Sequence, residues 1–312
     1  MKKKVIAFAV LAAAVTAGSA AARVGALGGA ITADGSSTVG PYAIAAAEGF
    51  QKRNPAARVT VGISGTGGGF ERFCRSETDL SNASRPMRNS EAVVCRDAGV
   101  KWVAFTVAND GLSVVVNRQN TWVNCLTVAE LKKIWEPGSK IDNWNQVRSG
   151  FPNVPLKLFG AGTDSGTFDY FTEAINGRAR ASRSDYLATE DDNVIVQGVE
   201  GERGALGYFG FSYYEENKDK LKVVAIDGQK GQGCVTPSVQ TVQTNKYRPL
   251  SRPLFIYAKR SSFRRPVVAG YIGYVFNNEK AIAKQAGFIA LTPRQLKKAR
   301  YQYLQALKSN NT

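Results

Sequence analysis

Three times in this chain a β-like run breaks into a cluster of Gly, Ser and Thr and then opens a helix-like run. Ala30–Asp34 leads into Gly35-Ser36-Ser37-Thr38. Arg58–Ile63 leads into Ser64-Gly65-Thr66-Gly67-Gly68-Gly69. Val154–Phe159 leads into Gly160-Ala161-Gly162-Thr163-Asp164-Ser165-Gly166-Thr167. Strand-like runs that alternate with helix-like runs call for an α/β fold with largely parallel sheets. The start of a helix presents unpaired N–H groups and the positive end of its dipole. Small residues let an anion reach those groups, and hydroxyls add donors. One such turn means little; three that converge on one cleft describe an oxyanion receptor.

The rest of the chain keeps the alternation. Ala43–Phe50 reads as a helix, with Pro41 placed at its start. Asp79–Ser84 reads as a short strand. Val100–Val107 and Leu112–Asn117 read as two β runs on either side of Asn109-Asp110-Gly111, a turn signal. Thr127-Val128-Ala129-Glu130 is a capping box that starts a helix. Phe168–Ile175 and Tyr213–Lys220 read as helices, Gly204–Phe209, Leu221–Ile226 and Pro253–Lys259 as strands, and Val267–Asn277 and Pro293–Leu307 as closing helices. Neither an internal repeat nor a low-complexity tract is present.

The N-terminus narrows the compartment. Lys2-Lys3-Lys4 precede an apolar run from Val5 to Ala17, and Gly18-Ser19-Ala20-Ala21-Ala22 supplies small residues. That is the order of a secretory signal peptide over residues 1–22, with the mature chain starting near Ala21–Arg23. The first cysteine is Cys74, so no lipid-anchored lipoprotein is expected; the reading is a freely soluble periplasmic protein. The chain has four cysteines, Cys74, Cys95, Cys125 and Cys234, without a CxxC pair, and contains no histidine, so a zinc site lacks its usual ligands. An even number of cysteines in an exported chain suggests two disulfides, in one of three pairings, against four reduced buried thiols.

The net charge is +16, of which the three N-terminal lysines contribute three. A field of that sign draws in anions. It equally suits nucleic acid or an acidic surface, and the C-terminal stretch with Lys297, Lys298, Arg300 and Lys308 is the richest in cations. No basic region is interleaved with aromatics in the manner of a nucleic-acid module, so no nucleic-acid partner is expected. Without histidine a Ser-His-Asp triad is impossible, and Ser165 has no obvious base, which argues against a phosphoester hydrolase.

The hydroxyls at the helix starts, Ser36, Ser37, Thr38, Ser64, Thr66, Ser165 and Thr167, each admit a plain reading as an N-cap worth about 1 kcal/mol. A hydrogen bond to a charged group contributes about 1.5–3 kcal/mol, so six or more around one dehydrated anion reach micromolar binding. The set of motifs Asp34-Gly-Ser-Ser-Thr-Val39, Ile63-Ser-Gly-Thr-Gly-Gly-Gly69, Asn82-Ala-Ser-Arg-Pro86 and Gly162-Thr-Asp-Ser-Gly-Thr-Phe168, with Ala205-Leu-Gly-Tyr208 and Ser251-Arg-Pro-Leu254, resembles the phosphate-binding proteins of high-affinity phosphate ABC transporters (PstS/SphX type). The resemblance runs over nearly the whole mature chain. It implies an α/β, two-lobe periplasmic binding protein type II fold with mixed, mainly parallel sheets and two crossover strands as a hinge. Residues 23–108 plus 250–312 would form lobe 1, and residues 109–249 lobe 2. It also implies a monomeric receptor, without cofactor or catalysis, that holds inorganic phosphate between the lobes and hands it to a membrane ABC permease.

Carried over position by position, the resemblance implies phosphate binding by Ser37, Thr38 and the Val39 amide, by Thr66, by Ser84, and by Ser165, Gly166 and Thr167. Two departures stand out. Where many members have an Asp after the Ser of the fourth motif, this chain has Arg85. Where many have an Arg before the third Ser-Gly-Thr, it has Gly160-Ala161-Gly162. Arg85 is therefore expected to supply the cationic fork, with a surface salt bridge as the alternative. A carboxylate that accepts the proton of phosphate would repel sulfate; Asp164 is the first candidate and Asp34 the second, each with a capping role as the alternative. In this layout the pairing Cys74–Cys95 and Cys125–Cys234 keeps each disulfide within one lobe. The rival readings are a receptor for sulfate, arsenate or an organophosphate, and a basic polyanion-binding protein.

Overall fold

A computed structural model describes residues 27–163, 165–189, 191–228 and 233–308. The proposed signal peptide (1–22) and Asp164 lie outside the described residues. The strands are β1 (Gly29–Gly35), β2 (Ala57–Val61), β3 (Leu80–Ala83), β4 (Trp102–Asn117), β5 (Cys125–Thr127), β6 (Lys157–Ala161), β7 (Leu187–Thr189), β8 (Ala205–Gly210), β9 (Leu221–Val223), β10 (Ala225–Asp227) and β11 (Ser251–Lys259). The helices are α1 (Gly40–Arg53), α2 (Gly65–Cys74), α3 (Asn89–Asp97), α4 (Val128–Trp135), α5 (Trp144–Val147), α6 (Gly166–Asn176), α7 (Asp192–Gly201), α8 (Phe211–Glu216), α9 (Val239–Gln243), α10 (Pro266–Gln285) and α11 (Pro293–Lys308).

Among the described residues, nine strands form one mixed sheet with the path β2-β1-β3-β11-β4-β8-β6-β7, and β9 also joins β4. β1 is parallel to β2 and β3, while β6 is parallel to β7 and β8. β11 and β4 run antiparallel to each other in the middle. The two largest of four groups of buried side chains among the described residues flank this centre. One packs Tyr42, Phe50, Phe105, Tyr271 and Phe276 around β1, β11 and the first half of β4. The other packs Trp135, Trp144, Phe171 and Tyr208 around the second half of β4 and β8. The chain therefore makes two α/β halves on a shared pair of strands.

The expected turn at Asn109-Asp110-Gly111 is not a turn. Those residues sit inside the 16-residue strand β4, opposite Pro253, Arg252 and Ser251. Turn-formers are tolerated here because their side chains find partners that solvent would otherwise supply. Asn109 donates to the Ala290 carbonyl at 3.2 Å, Asp110 pairs with Arg252, and a Cβ at Gly111 would meet Val242 at 2.7 Å. Leu221–Ile226 is likewise two short strands, because after Val223 the chain leaves β4 and pairs with β5 instead. The helix expected over Tyr213–Lys220 starts at Phe211 and stops at Glu216. The capping box is present: Thr127 Oγ1 accepts from the Glu130 amide at 3.1 Å, and Glu130 accepts from the Thr127 amide at 2.8 Å. Disulfides join Cys74 to Cys95 and Cys125 to Cys234, the expected pairing.

Candidate functional site

The carboxyl ends of β1, β2 and β3 point to the same edge, and the loops leaving them are tied together by one carboxylate. Asp34, at the end of β1, is 1% exposed. Its Oδ1 accepts from the Gly35 amide at 2.7 Å and the Ser64 amide at 3.0 Å, and its Oδ2 pairs with Arg72 of α2. Asp34 thus fixes the second Gly/Ser/Thr loop against the first, and its oxygens are spent on that task. The Ser36 amide donates to the Asn82 carbonyl at 2.9 Å, which adds the loop after β3 to the set. Two glycines make the approach feasible. A Cβ on Gly35, whose φ is +141°, would lie 2.1 Å from the Asn82 carbonyl oxygen, and one on Gly69 would lie 2.4 Å from Gly35 Cα.

Across the cleft, the loop after β6 brings the start of α6 against the start of α1. Thr38 Oγ1 donates to the Gly166 carbonyl at 3.0 Å, and Ser37 Oγ donates to Asp169 Oδ2 at 3.1 Å. At the rim Arg88 lies 3.9 Å from Glu173. A cavity of about 620 Å³ opens on one side of this contact, lined by Ser37, Thr38, Thr66, Ser84 and Arg85 of the sequence-derived set, with Asp169, Tyr170 and Arg252. A second cavity of about 370 Å³ on the other side is lined by Ser37 and Thr38 again, now with Ser165, Gly166, Thr167 and Asp110. The expected residues therefore divide between two cavities, Thr66, Ser84 and Arg85 lining one and Ser165, Gly166 and Thr167 the other, with Ser37 and Thr38 lining both.

Each takes its place in detail. Thr66 and Ser84 hydroxyls are 3.1 Å apart, and the Ser84 amide donates to Thr66 Oγ1 at 3.3 Å, joining the second and third loops. Ser165 caps α6, accepting from the Thr167 amide at 3.1 Å. Val39 is fully buried in the first core, and its amide faces Ser36 Oγ at 3.4 Å. Arg85 lines the larger cavity, yet its guanidinium is held by both oxygens of Glu91, at 2.8 and 2.7 Å. Burial opposes the Glu91 charge, but Arg85 and the Arg88 amide together hold its carboxyl below the ordinary range. The fork that Arg85 was expected to offer is thus directed at Glu91.

A different cation stands behind Thr38. Arg252, at the start of β11, has only 11% of its side chain exposed. Its Nη2 donates to Thr38 Oγ1 at 2.7 Å, its Nε donates to Asp110 Oδ2 at 3.3 Å, and it lies over the Tyr170 ring, 3.2 Å from the centroid. Burial raises the Asp110 carboxyl above its usual value, with Arg252 working in the opposite direction. Sequence reasoning quoted Ser251-Arg-Pro-Leu254 without giving Arg252 a role. The available signal was a charge, followed by proline, opening an otherwise apolar β run.

Residues 16–279 match the PBP superfamily domain. The protein SphX of Synechococcus elongatus is 48% identical over 284 residues, covering 90% of this chain and 82% of that protein. The chain belongs to the PBP superfamily, among the SphX and PstS proteins. The phosphate-binding protein PstS of Staphylococcus saprophyticus is 38% identical, over 84% of this chain and 81% of that one. A crystal structure described as a possible phosphate binding protein from Planctomyces limnophilus superposes with a TM-score of 0.88 at 46% identity, covering 90% of this chain and 99% of that one. This relationship accounts for the mixed α/β arrangement.

Proposed function

We propose that the chain is an exported receptor that captures inorganic phosphate between its two halves and delivers it to a phosphate ABC transporter. One observation carries the reading: loops from both halves, each ending in a helix start, meet at Thr38, with the Arg252 guanidinium behind its hydroxyl. The names of the SphX and PstS relatives point the same way. Phosphate would sit beside Ser37 and Thr38, with Thr66 and Ser84 from one half and Ser165, Gly166 and Thr167 from the other. Arg252 supplies the fixed positive charge there, while the Arg85 guanidinium stays paired with Glu91.

Residues 23–108 with 250–312 would act as lobe 1, and 109–249 as lobe 2. Ligand then favours the closed state because only that state brings both sets of donors to it. Near neutral pH phosphate carries a proton and sulfate does not. Asp169, which lines the larger cavity, joins Asp164 as a carboxylate suited to accept that proton and to repel sulfate. The site reads as a holder rather than a catalyst, since the chain has no histidine to act as base. The N-terminal pattern and the two disulfides support export to the periplasm.

The test is calorimetric titration with phosphate, followed by competition with sulfate and arsenate. Micromolar or tighter phosphate binding with sulfate excluded is expected. No heat with phosphate, or displacement by sulfate at equal concentration, would refute the assignment.

A further inference from the structure

The opposite end of lobe 1 carries a second concentration of positive charge. β11 leaves the cleft at Arg252 and ends at Lys259, about 23 Å away at the rise of a β-strand. At that end a cavity of about 540 Å³ is lined by Lys101, Lys259, Arg260 and Arg264, together with Ser76, Ser261 and the backbone of Ala98–Val100, and by no acidic residue. Lys259 is the unusual member, being only 9% exposed. Its ammonium donates to the Ser76 carbonyl at 3.2 Å, and among the described residues no carboxylate forms an ion pair with it.

The nearest carboxylate is engaged elsewhere. Asp79 accepts from the Thr32 amide, from Ser262 Oγ at 2.9 Å and from Arg265 at 2.7 Å. Lys101 and Arg264 are exposed at the mouth and form no ion pair among the described residues. Burial lowers the Lys259 pKa, with the Asp79 carboxylate working in the opposite direction and Arg265 adding to the lowering. Gathering like charges around a concave, partly dehydrated space is unfavourable in itself and becomes favourable when an anion enters.

We propose that this pole cavity is a second anion site, selective for neighbouring phosphate groups over a single one. Lys101 and Arg264 at the mouth and the buried Lys259 spread over a space of this size, more than one tetrahedral ion spans, whereas a chain of phosphates reaches Lys259 and the rim at once. Such groups come either from a soluble condensed phosphate or from anionic lipid headgroups. The site lies away from the cleft and does not depend on what the cleft holds.

The probe is sodium tripolyphosphate, titrated by calorimetry into the full exported protein after phosphate has filled the cleft. A second arm sediments the protein with phosphatidylglycerol vesicles and with phosphatidylcholine vesicles. The variant Lys101→Glu/Arg264→Glu changes two exposed mouth residues, and Lys259→Met removes the buried charge. Either binding mode should weaken about tenfold or more in both variants, while phosphate affinity of the cleft stays unchanged. Loss of the triphosphate signal identifies the soluble source, and loss of phosphatidylglycerol binding identifies the lipid source. Absence of binding in both arms, or binding that the variants leave intact, overturns the proposal. Failure of the cleft reading appears separately, in the titration with phosphate alone.

Discussion

Gly166→Ala tests closure of the cleft with a single methyl group. Gly166 is the first residue of α6, and its φ is not in the left-handed region, so alanine suits its own half. Across the cleft, however, the added Cβ would lie 2.6 Å from both Thr38 Cα and Thr38 N. That is about 0.8 Å inside the 3.4 Å at which ordinary contact begins. Both offending atoms are backbone, held by the loop that Asp34 and Asn82 fix, so no rotamer change relieves them. The halves must separate, and the Thr38–Gly166 and Ser37–Asp169 hydrogen bonds then lengthen. One is neutral and one involves a carboxylate, together about 2.5–4 kcal/mol. All of it falls on the closed state, so the phosphate dissociation constant should rise roughly fifty-fold to several-hundred-fold. Calorimetry measures this change. The ligand-free Tm should hold or rise slightly, since Gly→Ala restricts the unfolded chain. Wild-type affinity in the variant would refute closure through this contact. A fall in ligand-free Tm would show that the methyl group damages lobe 2 itself.

Other outcomes follow from the same geometry. Arg252→Met leaves Asp110 buried without its partner and should cost about 3–5 kcal/mol of stability at neutral pH, with loss of phosphate binding. Because Asp110 already sits above its usual pKa, part of that cost should disappear in acid as the carboxyl protonates, a trend that urea unfolding at several pH values would show. An Arg252→Met protein as stable as wild type would discount the pair. Glu91 has its pKa lowered from 4.5 in the fold, so its contribution is full above 4.5 and is lost as pH falls through the folded value. Glu91→Gln should therefore be less stable than wild type at neutral pH and show a flatter Tm profile below that point; parallel profiles would contradict the Arg85–Glu91 assignment.

The α/β class and the three Gly/Ser/Thr loops with their helix starts are legible because each signal is local. Gly, Ser and Thr after an apolar run state what the backbone does next, and Thr127-Val128-Ala129-Glu130 marks its own helix start. What was hidden depends on partners distant in sequence. Asn109-Asp110-Gly111 has the composition of a turn, and only its pairing with Ser251, Arg252 and Pro253 of β11 makes it a strand. Arg85 reads as the cationic fork because the third loop lacks its usual Arg, but Glu91, six residues on, captures it. Arg252 acts through residues at positions 38, 110 and 170, a relation that no window of sequence displays. The exact place where α6 touches α1 was equally out of view, since it needs two halves folded before they can meet.

The strands that join the halves are hydrogen-bonded to each other through the crossing, with Arg252 opposite Asp110 and a bulge between Leu254 and Phe255. A pair of free linkers would let lobe 2 swing in any direction. A laddered ribbon resists splaying of its strands, and the bulge bends and twists it at one point. If the halves part, the paired strands direct the movement as a twist about their own length rather than a free swing.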